Sequence, residues 1–250
     1  MKNNKVAIIL PNFNSSEYLK KTLKSVLNQS YKNWQLIIVD DASDKKTIEI
    51  LKKFKKHKKI KIFFLKKNMG AGYCRNYGIR NSNSDYLAFI DSDDTWKKEK
   101  LKNQLEFMKK NNHEFTYTDY FAFYKKKNKK RKVFTPKKIS YEEFIRNTSI
   151  ATSTMMIKRR TAKNIFFTNT KICEDYFFKC KILEKVKYAF CLNKLLTTYM
   201  IRNDSLQSSK IKNLLMIWKI NSQYNKFKFL KNITSLINIS LNSILKYGFK

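Results

Sequence analysis

The chain is poor in residues that break or staple a fold. It has two prolines and four glycines in 250 residues, so no stretch reads as a flexible or Pro-rich linker. Histidine is nearly absent. His57 and His113 both stand in polar surroundings and are expected at the surface, so any catalytic base is expected to be a carboxylate. The cysteines, Cys74, Cys173, Cys180 and Cys191, form no C-x-x-C pair and have no histidine at ligand spacing. That argues against zinc and for reduced thiols in a cytoplasmic protein. No apolar run reaches the roughly 18 residues of a membrane span. The first residues, MKNNKVAIILPNFN, hold too short an apolar run for a signal peptide and no small-residue cleavage site.

Acid is scarce as well. Against 54 Lys+Arg stand 19 Asp+Glu, a formal net charge of +35. Such a balance suits an anionic partner. Lysine greatly outnumbers arginine, however, and asparagine and isoleucine are abundant, a pattern that also fits a genome-wide compositional bias. Nucleic-acid readers lean on arginine for bidentate contacts, so no nucleic-acid partner is expected. Hydrophobic residues at 42% and aromatics at 14% can build a core, in one large domain or two halves sharing one.

Strand and helix patterns alternate over the first hundred residues. Val6 to Leu10 is an apolar run closed by Pro11, and Leu19, Leu23, Val26 and Leu27 recur at helical spacing. Leu36–Val39, Ile60–Leu65 and Tyr86–Ile90 read as further strands. Residues 46–54 and 71–81 read as helices, and another starts near Lys97 with Leu101, Leu105 and Met108 on its apolar face. Continuous apolar strands between helices predict an α/β fold, a Rossmann-like, mostly parallel sheet covered on both faces. From Phe115 the pattern becomes mixed. The basic run Lys125 to Lys132 predicts a solvated hairpin tip, and the chain from about 210 predicts helices. The expected organisation is a ligand-binding half over 1–114, an α+β half over 115–209 packed on it, and a C-terminal helical tail over 210–250.

Ligands of open α/β sheets bind beyond the carboxyl ends of the strands. Those ends carry Pro11-Asn12-Phe13-Asn14, Asp40-Asp41 and Asp91-Ser92-Asp93-Asp94. Carboxylates converging on one crevice repel one another unless a cation joins them. A hard divalent ion, Mn²⁺ or Mg²⁺, takes one or two carboxylates plus substrate phosphates. Helix capping would need one aspartate, not three. An EF-hand loop starting at Asp91 would put Trp96 at the glycine position and Lys102 at the bidentate glutamate position. A phosphoacceptor receiver would carry its acidic pair after the first strand, where Pro11-Asn12 stands.

Five segments, VAIILPNFNSSEYLKKTLKSVLNQSY, LIIVDDASD, NMGAGYCRNYGIRNSNSDYLAFIDSDDTW, CEDYFFKCKIL and YMIRNDSLQSS, resemble in content and order the family 2 glycosyltransferases of GT-A fold, similar to those of bacterial surface-polysaccharide assembly. The resemblance spans roughly residues 5 to 209. It implies that Pro11, Phe13 and Asn14 form the nucleotide-facing turn, with Phe13 where relatives often carry tyrosine. It implies that Asp40 or Asp41 reads the base and that Arg75 faces the nucleotide or its phosphates. The alternative for Arg75 is a surface salt bridge on a helix. Asp91, Ser92 and Asp93 resemble the D-x-D motif, with Asp91 on the ribose side and Asp93 on the metal. Glu174-Asp175 resembles the family's ED motif, with Asp175 as general base; two acids favouring a helix N-terminus are the plainer reading. Tyr199 to Ser209 resembles the segment folded over the donor diphosphate, with Arg202 and Ser205 as contacts.

These assignments imply an inverting transferase that moves one sugar from a UDP-sugar to a saccharide acceptor, lipid-linked in cell-surface polysaccharide or lipooligosaccharide synthesis. The absence of a Q-x-x-R-W sequence argues against a processive synthase. The alternatives are an inactive nucleotide-sugar-binding module and a nucleotidyltransferase; the latter usually needs a Gly-rich loop after its first strand, and residues 11–16 hold no glycine. In the tail, Ile233, Ile237, Leu241, Ile244 and Leu245 recur at helical spacing among Lys226, Lys228, Lys231, Lys246 and Lys250. This predicts either a basic amphipathic helix on the inner face of an anionic membrane or a helix packed on the domain with its lysines outward.

Overall fold

The computed structural model describes residues 4–202 and 209–247. In chain order the elements are β1 (Val6–Asn12), α1 (Leu19–Leu27), β2 (Trp34–Asp40), α2 (Lys45–Phe54), β3 (Ile60–Phe64), α3 (Ala71–Arg80), β4 (Tyr86–Phe89), β5 (Thr95–Trp96), α4 (Lys100–Lys110), β6 (Phe115–Tyr124), β7 (Lys129–Val133), β8 (Lys138–Ile139), α5 (Tyr141–Asn147), β9 (Met156–Lys158), α6 (Glu174–Lys185), β10 (Ala189–Ile201), α7 (Lys210–Gln223) and α8 (Phe229–Tyr247). Short 3-10 turns at Thr152–Thr154 and Arg159–Ala162 flank β9.

One ten-stranded sheet runs through the molecule in the order β3-β2-β1-β4-β9-β6-β10-β5, with β7 on β6 and β8 on β10. The first four strands pair in parallel. Beyond β4 the sheet is mixed, with β9 antiparallel to both β4 and β6. The second half is therefore joined to the first by strand pairing through β9, where the sequence pattern predicted one half packed on the other. Alternate residues feed two cores. Ala7, Ile9, Ile37 and Val39 face α3, α5 and α6, while Val6, Ile8, Leu10, Leu36 and Ile38 face α1, α2 and α4. Each such side chain removed from water contributes about 1.5–3 kcal/mol. Both faces of β1 and β2 are covered, which is why Val6–Leu10 and Leu36–Val39 are unbroken apolar runs.

Several boundaries differ from the sequence expectation. β1 continues through Pro11 to Asn12. The proline is tolerated because β4 pairs only as far as Ile9 while β2 continues alongside to Asn12, leaving no ladder on the other side at Pro11. The helix expected near Lys97 begins at Lys100, and Thr95–Trp96 pairs instead with β10. The run Lys125 to Lys132 spans the hairpin turn and most of β7, and Lys125 is tied to Glu17 at 2.6 Å. His113 is half-buried, stacked on Phe190 at 3.8 Å; burial lowers its pKa. All four cysteines are free and buried.

Candidate active site

The parallel strands β1, β2 and β4 send their carboxyl ends to one side of the sheet. Asn12 ends β1, and its Nδ2 donates to Asp40 Oδ1 at 2.6 Å. The Ser43 backbone N–H donates to the other oxygen of Asp40 at 3.1 Å. Asn14 spans the same turn: its N–H donates to Ser43 Oγ at 2.9 Å, and its Oδ1 accepts from the Asp44 N–H at 2.8 Å. Asp41 accepts from the N–H groups of Met69 and Gly70 at 2.7 and 2.8 Å, fixing the entry to α3. Gly70 has φ +87°, a conformation only glycine adopts without strain. Both aspartates are buried. Pro11 is buried in the strand, and Phe13 lies beside it with 49% of its surface exposed.

Arg75 departs most from expectation. It is neither a surface salt bridge nor aimed at open solvent. Its side chain is 5% exposed and joins Asp91 at 2.6 Å to Glu174 at 2.5 Å. Its Nε has no hydrogen-bond partner among the described residues. The two anions, opposing the cost of burial, hold the guanidinium firmly charged. Gly72, one turn earlier in α3, makes the approach possible. A Cβ there would stand 2.1 Å from the Thr168 carbonyl oxygen and 3.2 Å from the Glu174 side chain.

After β4 the acidic loop is fixed from below. Thr22 Oγ1 lies 2.9 Å from the Ser92 carbonyl and 2.8 Å from that of Asp94, and the Asp91 N–H donates to Ser153 Oγ at 3.0 Å. Asp94 faces inward, where its Oδ1 accepts from the Met200 N–H. Burial and then the charges of Asp93 and Asp91 push its pKa well up. Asp91 and Asp93 keep 28% and 19% of their side-chain surface open. Two hard, partly hydrated carboxylates fit Mn²⁺ or Mg²⁺, which retains waters and takes phosphate oxygens. Among the described residues no cluster of three or more metal-binding side chains forms, so the remaining positions would fall to water and substrate. Asp93 Oδ2 lies 3.3 Å from Arg202 Nε, and the Arg202 guanidinium lies over the Tyr18 ring. Ser205 lies outside the described residues.

Glu174 and Asp175 open α6. Burial raises the pKa of Glu174 against the opposing pull of Arg75. Asp175 is held differently. Its Oδ2 accepts from Lys179 Nζ at 2.5 Å and from the Thr152 hydroxyl. Burial alone would raise its pKa. The Lys179 and Arg75 charges and the two hydrogen bonds override that and pull it down to about 2. Oδ1 has no protein partner among the described residues, and the side chain is 21% exposed. The sequence reading missed Lys179, although its four-residue spacing from Asp175 was a usable signal. Thr152 and Ser153 carried no signal, since only the turn before β9 brings them to these carboxylates.

The chain matches the family described as "Glycosyl transferase family 2" over residues 7–177. It is 32% identical over 243 residues to TuaG of Bacillus subtilis, whose name assigns it to teichuronic acid biosynthesis, covering 96% of both chains. It is 32% identical over 247 residues to the Escherichia coli UDP-Glc:alpha-D-GlcNAc-diphosphoundecaprenol beta-1,3-glucosyltransferase WfaP, covering 98% of this chain and 96% of that one. Among solved structures, S. aureus TarS 1-349 in complex with UDP-GlcNAc superposes with a TM-score of 0.75 at 20% identity, over 96% of this chain and 73% of that one. That likeness is one of fold, GT-A. With this fold, and with acidic strand ends that gather beside a paired Glu174-Asp175, the chain belongs to glycosyl transferase family 2 and is a glycosyltransferase.

Proposed function

We propose that the protein moves a single sugar, with inversion, from a UDP-sugar to a hydroxyl of a lipid-linked saccharide in cell-surface polysaccharide assembly. The observation that carries the reading is the Arg75 bridge. One buried guanidinium ties Asp91 to Glu174, and the next residue, Asp175, keeps one oxygen without a protein partner among the described residues. The D-x-D segment and the base are thereby held in one rigid frame.

In this reading the half-exposed Phe13 ring stacks on the base beside Pro11, and Asp40 or Asp41 accepts from its edge. Asp91 and Asp93 hold Mn²⁺ or Mg²⁺, which when bound neutralises charge on the departing diphosphate. Arg202 transfers its contact from Asp93 to a phosphate oxygen when the donor enters. The acceptor oxygen forms its bond to the anomeric carbon as the bond from that carbon to the diphosphate oxygen breaks. The electron pair leaves with UDP, and the acceptor proton goes to Asp175 Oδ1. The lowered pKa of Asp175 keeps it ionised and able to accept that proton. An α-linked donor gives a β-linked product.

The names of relatives support the substrates. WfaP and WfgD carry UDP-Glc as donor and a GlcNAc-diphosphoundecaprenol acceptor in theirs, and the TarS structure holds UDP-GlcNAc. A mannosyltransferase of the same fold, solved with GDP-Man and Mn²⁺, supports the metal. The test is UDP release from a UDP-sugar panel with Mn²⁺ and a GlcNAc-diphosphate lipid analogue, with the product read by mass spectrometry. Turnover with at least one UDP-hexose is expected, falling at least roughly 100-fold in Asp175→Asn and in Asp93→Ala. Unchanged turnover in Asp175→Asn refutes the base. Donor binding without turnover across the panel favours the binding module.

A further inference from the structure

The C-terminal helices show large apolar side chains to solvent. The inward face of α8 is mixed, with Ile239 in the core and Leu236 packed against it beside polar groups. Asn232 and Ser235 are buried, as is Asn221 on α7. Asn221 Nδ2 donates to Asn232 Oδ1 at 3.1 Å, Asn232 Nδ2 to the Trp218 carbonyl at 3.2 Å, and Ser235 Oγ to the Ile145 carbonyl at 2.6 Å. These bonds fix which way the helix is rotated. The outward face carries Leu230, Ile237 and Leu241, exposed at 75%, 54% and 55%. Their spacing of seven and then four residues keeps them on one stripe about 16 Å long. Such a helix normally hides its apolar stripe and shows its polar one.

The charge of the segment is as one-sided as its hydropathy. Residues 209–250 contain eight lysines and no aspartate or glutamate. Lys231 reaches Glu142 on α5. Exposed Lys212, Lys219, Lys226 and Lys228 have no carboxylate partner among the described residues. We infer that the α8 stripe and the exposed lysines of the same helical segment dock on the surface of an anionic lipid bilayer, the apolar side chains entering the headgroup boundary and the ammonium groups meeting lipid phosphates. A second copy of this chain fits less well, because pairing the face with itself would oppose lysine to lysine. Nucleic acid fits the charge and not the stripe.

The docking face belongs to the same body as the proposed base. The Cys173 thiol, which precedes Glu174 and Asp175, lies 3.9 Å from the Asn213 carbonyl of α7. Resting on the function proposed above, this would hold the acceptor crevice near a membrane-borne substrate. The binding itself does not depend on that reading.

Full-length protein is floated with phosphatidylcholine vesicles and with vesicles of 60% phosphatidylcholine and 40% phosphatidylglycerol. The expected result is flotation with the anionic vesicles alone, weakened by salt. At least a tenfold loss is expected in Leu230→Gln/Ile237→Gln/Leu241→Gln and, separately, in a Lys212→Gln/Lys219→Gln/Lys226→Gln/Lys228→Gln variant. Equal binding to neutral vesicles, or retained binding in both variants, overturns the inference. So does a self-associated wild type that the stripe variant returns to monomer without vesicle binding. UDP release with a water-soluble acceptor should be unchanged in both variants. Lost flotation with retained turnover then separates docking from catalysis, and flotation without turnover in the wild type sinks only the proposed activity.

Discussion

Replacing Lys179 by methionine removes the ammonium that Asp175 faces and leaves a carboxylate with 21% exposure and one remaining donor, Thr152. In the wild type the folded pKa is near 2 against an ordinary 3.8. A depression of roughly two units corresponds to about 2–3 kcal/mol, present in full above the unfolded pKa and lost as pH falls through the folded value. In Lys179→Met the largest lowering influence and one hydrogen bond are gone, so the folded pKa rises and most of this pH-dependent stability is absent. The gap between the two proteins should therefore be widest near pH 7, about 3–5 kcal/mol as for other half-removed buried pairs, and should narrow as pH falls from about 5 toward 2. Urea unfolding at four pH values reads it directly. A gap that stays constant from pH 7 to pH 3 refutes the coupling and reduces Lys179 to a packing residue. Lys179→Arg keeps the charge and should retain most of the stability and its pH dependence. Turnover gives a second reading: the acid limb of the kcat/KM profile should move to higher pH in the methionine variant and stay in place in the arginine one.

Three further outcomes follow from the same contacts. Gly72→Ala places a methyl group 2.1 Å from the Thr168 carbonyl; about 1–3 kcal/mol or more of stability should be lost, with a fall in turnover as α3 moves off α6, measured by thermal denaturation and UDP release. Arg75→Met strands the buried Glu174 and removes the partner of the part-exposed Asp91, and should cost about 3–5 kcal/mol in urea unfolding, unlike an exposed arginine. Burial pushes the thiols of Cys173, Cys180 and Cys191 up to about 12, so a thiol-disulfide reagent at pH 7.5 should label them at least a hundredfold more slowly in the native protein than in urea.

The parts of this molecule that could be read from its sequence are those fixed by local rules. β1, β2 and β4 follow from continuous apolar runs, as expected of strands covered on both faces; the edge strand β3, with Lys61 exposed, follows from its β-branched and aromatic residues. The carboxylates at their ends were visible because a parallel sheet must send its strand ends to one side, which brings Asp40, Asp41, Asp91 and Asp93 together before any contact is known. What stayed hidden depends on long-range closure. Arg75 lies 99 positions from Glu174 in the chain, and nothing in α3 alone distinguishes a surface arginine from a buried bridge. Thr152 meets Asp175 only because β9 runs antiparallel between β4 and β6. That single strand turns two predicted halves into one sheet.

The tail shows why periodicity has a limit as a guide. A 3.6-residue repeat says that apolar residues share a stripe; it does not say whether the stripe faces protein or solvent. Residues 229–247 satisfy both readings equally. The structure packs α8 on α5 with Ile239 buried and Leu236 against the core, and still leaves Leu230, Ile237 and Leu241 exposed. Polar partners on α5 and α7 contribute to that rotation: the Ile145 carbonyl for Ser235 and Asn221 for Asn232. A buried polar group left unpaired costs about 1–3 kcal/mol, comparable to burying one leucine. Asn232 and Ser235, both buried and satisfied, favour the rotation that leaves those three side chains in water. Replacing Asn232 and Ser235 by leucine and alanine removes that preference. If the argument holds, the double variant should turn α8 over, lose vesicle binding and gain thermal stability, whereas a variant that still floats would show that the exposed stripe does not depend on the polar network.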